Sequence, residues 1–184
     1  MPRLLVAVFP DSETLGKLIE VQNKLRELIT RQGVRFIAPE KLHLCLRSLS
    51  YAEDNETLTG LAKLTELAPV LSAEQIFSQS VSGIPDLDRP KTIAHSFESE
   101  PLERINRALM PYFWQDSADI GKVALARISP PSKAVGKIIQ AHLSDVLVPF
   151  TWTINKIDYA WVHPTGKYEM IESFQLKGES SSRT

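Results

Sequence analysis

The sequence predicts an α+β protein, and three observations carry that expectation. Strand and helix patterns mix in the order β-α-β-α-β-β-α-β-α-β-β, without the strict alternation of a doubly wound parallel sheet. No strand pattern is followed by a glycine-rich phosphate-binding turn. A strand–helix–strand pattern in the first third of the chain recurs, coarsely, between Lys91 and Ile128.

Each element has its own local reason. Arg3 to Phe9 is a short apolar run closed by Pro10, the signature of a buried strand. Asp11 and Ser12 are natural helix caps, and Leu15, Leu18, Ile19, Gln22, Leu25, Leu28 and Ile29 follow at helical spacing up to the stop at Gly33. Val34 to Ile37 is a short extended piece, and Leu42 to Leu49 a second strand. Leu58, Leu61, Leu64 and Leu67 mark a helix that Pro69 ends. Val70 to Val81 has weak strand character, broken by Ser and Gln, and Gly83 to Pro90 is rich in turn formers. Lys91 to Phe97 is a strand; the helix after it carries Leu102, Ile105, Leu109 and Phe113 on one face. Lys122 to Ile128 is a strand, and Pro130 and Pro131 open a helix burying Val135, Ile138 and Ile139. Two strands close the chain, about 150–162 and 168–176, around the turn Pro164-Thr-Gly166. The expected organisation is one domain over residues 1–176 with a mobile polar tail over 177–184.

Composition narrows the function classes. With 184 residues, 43% apolar and 23% charged, the chain can build one ordinary core without disulfides or a structural metal. The 21 basic and 22 acidic residues give a net charge of −1, so any attraction for phosphate must come from a local cluster. The one cysteine, Cys45, excludes a disulfide framework or a multi-cysteine zinc site within the chain. No carboxylate or cysteine stands at metal-ligand spacing from the histidines, so no metal site is expected. Leu4 to Phe9 is too short for a signal or membrane segment, which implies a cytoplasmic protein without a membrane partner, expected as a monomer.

The repeated strands read His43-Leu-Cys-Leu and Lys122-Val-Ala-Leu. Side chains two apart share a strand face, so His43, Cys45 and Arg47 would face one way, and Lys122 and Ala124 likewise. Two halves packed about a pseudo-twofold axis would bring those faces together across one groove. A histidine with a small hydrogen-bonding neighbour on such a face suits a phosphate ester, since imidazole exchanges protons near neutral pH. The competing reading is a solitary histidine on a half-exposed strand. His142 on a helix reads as a packed or capping residue and His95 beside Phe97 as a packing one. His163, at the mouth of the last hairpin, is a candidate to approach the groove and stand in for a second histidine, though nothing in the spacing requires it. Trp152 and Trp161 also read as packing residues, and Cys45 as either a quiet or a reactive thiol.

Phe36-Ile-Ala-Pro-Glu-Lys-Leu-His-Leu-Cys-Leu-Arg47 resembles the first signature of the 2H phosphoesterases, in the branch of RNA 2′,3′-cyclic phosphodiesterases, the 2′-5′ RNA ligase-like proteins. Gly83-Ile-Pro-Asp-Leu-Asp-Arg-Pro-Lys91, Leu125-Ala-Arg127 and Gly166-Lys-Tyr168 are similar to later passages of that family in the same order. The resemblance implies a bilobal, pseudo-twofold α+β fold: two antiparallel sheets facing a central groove, with helices outside. It implies hydrolysis of 2′,3′-cyclic phosphodiesters on RNA ends or small nucleotides to 2′-phosphates, without a cofactor.

The departures fall on the catalytic positions. The family uses two His-x-Thr motifs. His43 matches the first histidine, with Cys45 in place of its threonine; Lys122 and Ala124 stand in place of the second pair. The resemblance thus assigns His43 and Lys122 to catalysis and Cys45, Arg47, Ala124 and Arg127 to the substrate. Plain alternation turns Arg127 away from Lys122, so its role requires a bend. A lysine ammonium, with an ordinary pKa of about 10.4, cannot replace an imidazole base near neutrality. Two functions follow: a phosphoesterase of weak or lost turnover, or a non-catalytic module binding nucleotides or RNA ends.

Overall fold

The computed structural model describes residues 3–30, 33–50, 54–98, 100–113 and 120–178. Its strands are Arg3–Val8 (β1), Val34–Phe36 (β2), Leu44–Ser50 (β3), Glu74–Ile84 (β4), Thr92–Phe97 (β5), Lys122–Ile128 (β6), Thr151–Ile154 (β7), Lys156–Val162 (β8) and Tyr168–Gln175 (β9). The helices are Ser12–Leu28 (α1), Asp54–Leu67 (α2), Glu100–Leu109 (α3), Lys133–Ala141 (α4) and Leu143–Val146 (α5). All strand pairs are antiparallel, in the order β7-β4-β5-β6-β3-β1-β8-β9, with β2 on β6. The fold is α+β, as expected. The two lobes, β3-β1-β8-β9 and β7-β4-β5-β6, are continuous: β3 meets β6 at one residue pair, Leu44 with Val123.

The helices lock the lobes together by exchange. α1, which follows β1 in the first half, packs on β6, α4 and α5; α3, which follows β5, packs on β3 and β4. Asp11 caps α1, its Oδ1 accepting from the Thr14 N–H at 2.8 Å, and Leu18, Val21, Gln22 and Leu25 form the buried face. One apolar core runs through both lobes, from Leu4 and Leu44 through Val123 and Leu125 to Trp152 and Ile154. Gly136 of α4 lies against the Leu87 carbonyl, where a Cβ would collide with backbone, so the loop before β5 is seated directly on the helix.

Three expectations need correcting. The stretch about 150–162 is two strands, because the chain crosses lobes at Asn155: β7 pairs with β4, and β8 with β1 and β9. The Ser- and Gln-rich stretch is a full strand, β4, continuing through Gly83 and Ile84. A register shift between Ser78 and Ser80 lets Ile76 and Val81 both bury against the core, with Ser80 and Ser82 on the other face beyond it. Lys177, expected in the tail, is held at both ends of its peptide: its N–H donates to the Leu71 carbonyl and its carbonyl accepts from the Ala73 N–H, each at 2.8 Å. Residues 179–184 of that tail lie outside the described residues. Among the described residues no helix is long and apolar enough to cross a membrane.

Candidate active site

Both motif strands carry a β-bulge at the same step. In the β1–β3 ladder Ala7 faces Cys45 and Val6 faces Arg47, which leaves Leu46 unpaired. In the β5–β6 ladder Ala94 faces Ala124 and Ile93 faces Ala126, which leaves Leu125 unpaired. A bulge inserts one residue and resets the alternation beyond it. Hence Leu46 and Arg47 both turn to the interior, at 1% and 4% exposure, and Ser48 returns to the groove. Likewise Leu125 and Ala126 are buried, and Arg127 returns to the groove.

The groove is a cavity of ≈ 520 Å³ lined by His43, Cys45, Ser48, Lys122, Ala124 and Arg127, with Arg3, Lys41, Thr92 and Tyr168 around them. Five of the six residues expected at the site are therefore brought together. Arg47 is the correction: its Nη2 donates to the Asn106 carbonyl of α3 at 3.4 Å, away from the groove, because of the bulge at Leu46. The same device at Leu125 supplies the bend that Arg127 needs. Sequence alternation alone missed both, since a bulge between apolar residues leaves no mark on the apolar–polar pattern.

The Leu125 bulge is braced from outside its own sheet. Gln22 of α1, fully buried, donates from Nε2 to the Leu125 carbonyl at 2.9 Å and to the Ile37 carbonyl at 2.8 Å. The Ile37 N–H also donates to the Leu125 carbonyl, at 2.9 Å. Those bonds fix the strand where Arg127 emerges, and Arg127 Nη1 donates to Thr92 Oγ1 at 2.7 Å.

His43 is held by one hydrogen bond and two rings. Its Nδ1 lies 2.8 Å from the Lys41 carbonyl, an acceptor only, so Nδ1 carries the proton and Nε2 keeps a lone pair. Phe9 and Tyr168 pack on the imidazole with centroids at 5.3 and 5.2 Å. Buried Asp158 anchors that aromatic wall: its Oδ2 accepts from the Phe9 N–H at 3.0 Å, and its Oδ1 from Ser173 Oγ at 2.6 Å. Burial pulls the His43 pKa below the usual 6.5; the bond to the Lys41 carbonyl opposes that, and the charges of Arg3 and Arg127 add to it. The ring is neutral near pH 7 and its Nε2 is poised to accept a proton.

Cys45 is the quiet thiol. Burial pushes its pKa up to about 11 against the pull of Arg3 and Arg47, so it stays protonated, a weak S–H donor where a hydroxyl is expected. Ala124 contributes only space. Four cationic side chains, Arg3, Lys41, Lys122 and Arg127, line the cavity, and no carboxylate stands among its described lining residues. In a protein of net charge −1 this is a local concentration of positive charge. Among the described residues no three His, Cys, Asp or Glu side chains cluster as metal ligands.

The other histidines lie elsewhere. His95 is fully buried, stacked on Phe150 with centroids at 5.3 Å. His142 pairs with Asp145 at 2.9 Å on the surface, and His163 with Glu169 at 2.8 Å on the last hairpin, outside the groove lining. Arg3, Lys41 and Ser48 escaped the sequence reading. Arg3 stands two residues before Leu5 on the groove face of β1, a signal hidden because the run reads as buried on both faces.

The sequence matches no family model and no curated protein. Solved structures do match. TT0787 of Thermus thermophilus superposes with a TM-score of 0.76 at 23% identity, over 96% of this chain and 99% of that one. A phosphoesterase crystal structure matches with a TM-score of 0.70 at 11% identity, over 96% and 99%. E. coli LigT in complex with 3′-AMP gives a TM-score of 0.70 at 12% identity, over the same shares of the two chains. From end to end, then, this chain has the fold of TT0787, of that phosphoesterase and of LigT.

Proposed function

We propose that the chain is a divergent member of the 2H phosphoesterases, of the RNA 2′,3′-cyclic phosphodiesterase branch, and that its groove binds phosphate esters of nucleotides or RNA ends. The observation that carries this reading is the pairing, in one cavity, of a neutral His43, whose Nε2 keeps its lone pair, with cationic side chains and no carboxylate among the described lining residues. Solved complexes of LigT with 3′-AMP, ATP and phosphate support a nucleotide phosphate as the ligand class.

The chemistry this arrangement supports is hydrolysis of a cyclic phosphodiester. His43 Nε2 takes a proton from water as the water oxygen bonds phosphorus. The bond from phosphorus to the 3′ oxygen breaks, and that oxygen takes a proton from the Lys122 ammonium, leaving a 2′-phosphate. Arg127 and Arg3 hold the phosphoryl oxygens. Turnover is slow, because an alkylammonium is a weaker proton donor than an imidazolium, and Ala124 and Cys45 offer poor replacements for two hydroxyls.

Hydrolysis of adenosine 2′,3′-cyclic phosphate is the test. Wild type is expected to be slow, His43→Ala to lower the rate by about a hundredfold or more, and Lys122→His with Ala124→Thr to raise it. The substitutions at Lys122 and Ala124 favour a second reading, a binding module without turnover. It is the one left standing if all variants are inert yet adenosine 2′-monophosphate binds.

A further inference from the structure

A second cavity adjoins the groove and shares two of its walls. It measures ≈ 360 Å³ and is lined by Glu40, Lys41, Thr165, Lys167 and Tyr168; Lys41 and Tyr168 also line the groove. The loop before β3 and the last hairpin meet there. An ideal Cβ on Gly166 would stand 3.5 Å from Lys41 Nζ, so the ammonium lies directly over the turn. That turn is pinned: the Gly166 N–H donates to the His163 carbonyl at 2.8 Å and the His163 N–H to the Lys167 carbonyl at 2.9 Å. Neither Lys41 nor Lys167 has an ion-pair partner among the described residues, and with Glu40 the cavity keeps a net charge of +1.

We propose that Lys41 and Lys167 form a second phosphate subsite, which selects ligands carrying two phosphate groups on one nucleoside. The inference rests on the groove holding the first phosphate between His43, Lys122 and Arg127. A nucleoside anchored there by a 2′ or cyclic phosphate presents its 5′ oxygen one ribose away. A 5′ phosphate or phosphodiester on that oxygen is the anion that an adjoining lysine pair would meet, and an unphosphorylated 5′ hydroxyl would gain nothing from it. Lys41, facing both cavities, contributes to both phosphates; Lys167 lines only the second.

Calorimetric titration with adenosine 2′-monophosphate and with adenosine 2′,5′-bisphosphate separates the two subsites. The quantity read is the ratio of the two affinities. In wild type the bisphosphate binds roughly three- to tenfold tighter, an advantage that shrinks as salt rises. Lys167→Ala brings the ratio close to one, and Lys167→Arg restores it. Equal affinity of the two ligands for wild type, or a ratio unmoved by Lys167→Ala, overturns the second subsite while leaving the groove. If neither ligand binds, the groove reading itself fails and the second subsite with it.

Discussion

Leu46 and Leu125 are pseudo-symmetry mates, each the unpaired residue of a β-bulge at the third step after the motif residue, His43 just before β3 and Lys122 at the start of β6. The bulges decide which arginine reaches the groove. Past Leu46 the inward position falls to Arg47 and the groove position to Ser48; past Leu125 they fall to Ala126 and Arg127.

The two arginines should therefore fail in different ways. Arg127→Ala removes a charge-assisted donor from the groove and is expected to weaken binding of adenosine 2′-monophosphate about tenfold or more, with the melting temperature nearly unchanged. Arg47→Ala leaves a cavity and strips the Asn106 carbonyl of one of its two donors, the Met110 N–H being the other. It is expected to cost about 2–4 kcal/mol of stability. Thermal unfolding beside calorimetric titration checks both. Interchanged phenotypes would mean that the bulge at Leu46 does not hold in solution.

Gln22 tests the brace itself. Its side chain is isosteric enough with Met to keep the packing of α1, but Met cannot donate to the Ile37 and Leu125 carbonyls. Leu125 keeps the Ile37 N–H as a partner, so the main loss is at Ile37. Gln22→Met strips the part-buried Ile37 carbonyl of its donor but also removes the buried, unpartnered Gln22 Oε1, so it should cost no more than about 1 kcal/mol by denaturant unfolding. It should also loosen ligand binding, because Arg127 leaves the strand two residues after Leu125. A neutral effect on both measures would remove α1 from the account of the site.

What the sequence made legible follows from which patterns have a period. The α+β class, the amphipathic helices and the motif strands were readable because apolar spacing of 3.6 or 2 marks a buried face. β4 was underread because serines on its groove face, Ser80 and Ser82, look like loop residues when the partner strand is unknown. Arg3 and Ser48 were missed and Arg47 misplaced for one reason. Register and bulges are properties of pairs of strands, and a single strand's spelling does not contain them. Gln22 did leave a trace, as a polar residue inside an otherwise apolar helical stripe.

The pH dependence of turnover should report His43. Base catalysis needs the neutral ring, and burial holds its pKa below 6.5. The acid limb of the rate profile for adenosine 2′,3′-cyclic phosphate is thus expected below pH 6.5, and the rate should not fall on going from pH 8 to pH 7. Moving the positive charges away should move the limb up: in Arg3→Gln it should shift toward higher pH, since Arg3 helps to hold the proton off. A limb above pH 6.5 in wild type would mean that another group is the base.

His95 governs acid stability rather than chemistry. It is fully buried between Phe97 and Phe150, and neither ring nitrogen has a hydrogen-bond partner. Burial pushes its pKa down to about 4, against about 6.5 when the chain is unfolded. Between those two values the unfolded chain binds a proton that the folded chain refuses, so stability falls as pH drops from 6.5 toward 4. The full loss is on the order of 3 kcal/mol, and above pH 6.5 the group contributes no pH dependence. His95→Phe takes away the titration and the two desolvated nitrogens while keeping an aromatic ring among Phe97 and Phe150. Urea unfolding at pH 7.5 and pH 4.5 should show the stability gap between the two pH values narrowing in His95→Phe by about 2–3 kcal/mol. A gap of the same size in both proteins would assign the acid sensitivity to carboxylates elsewhere in the fold.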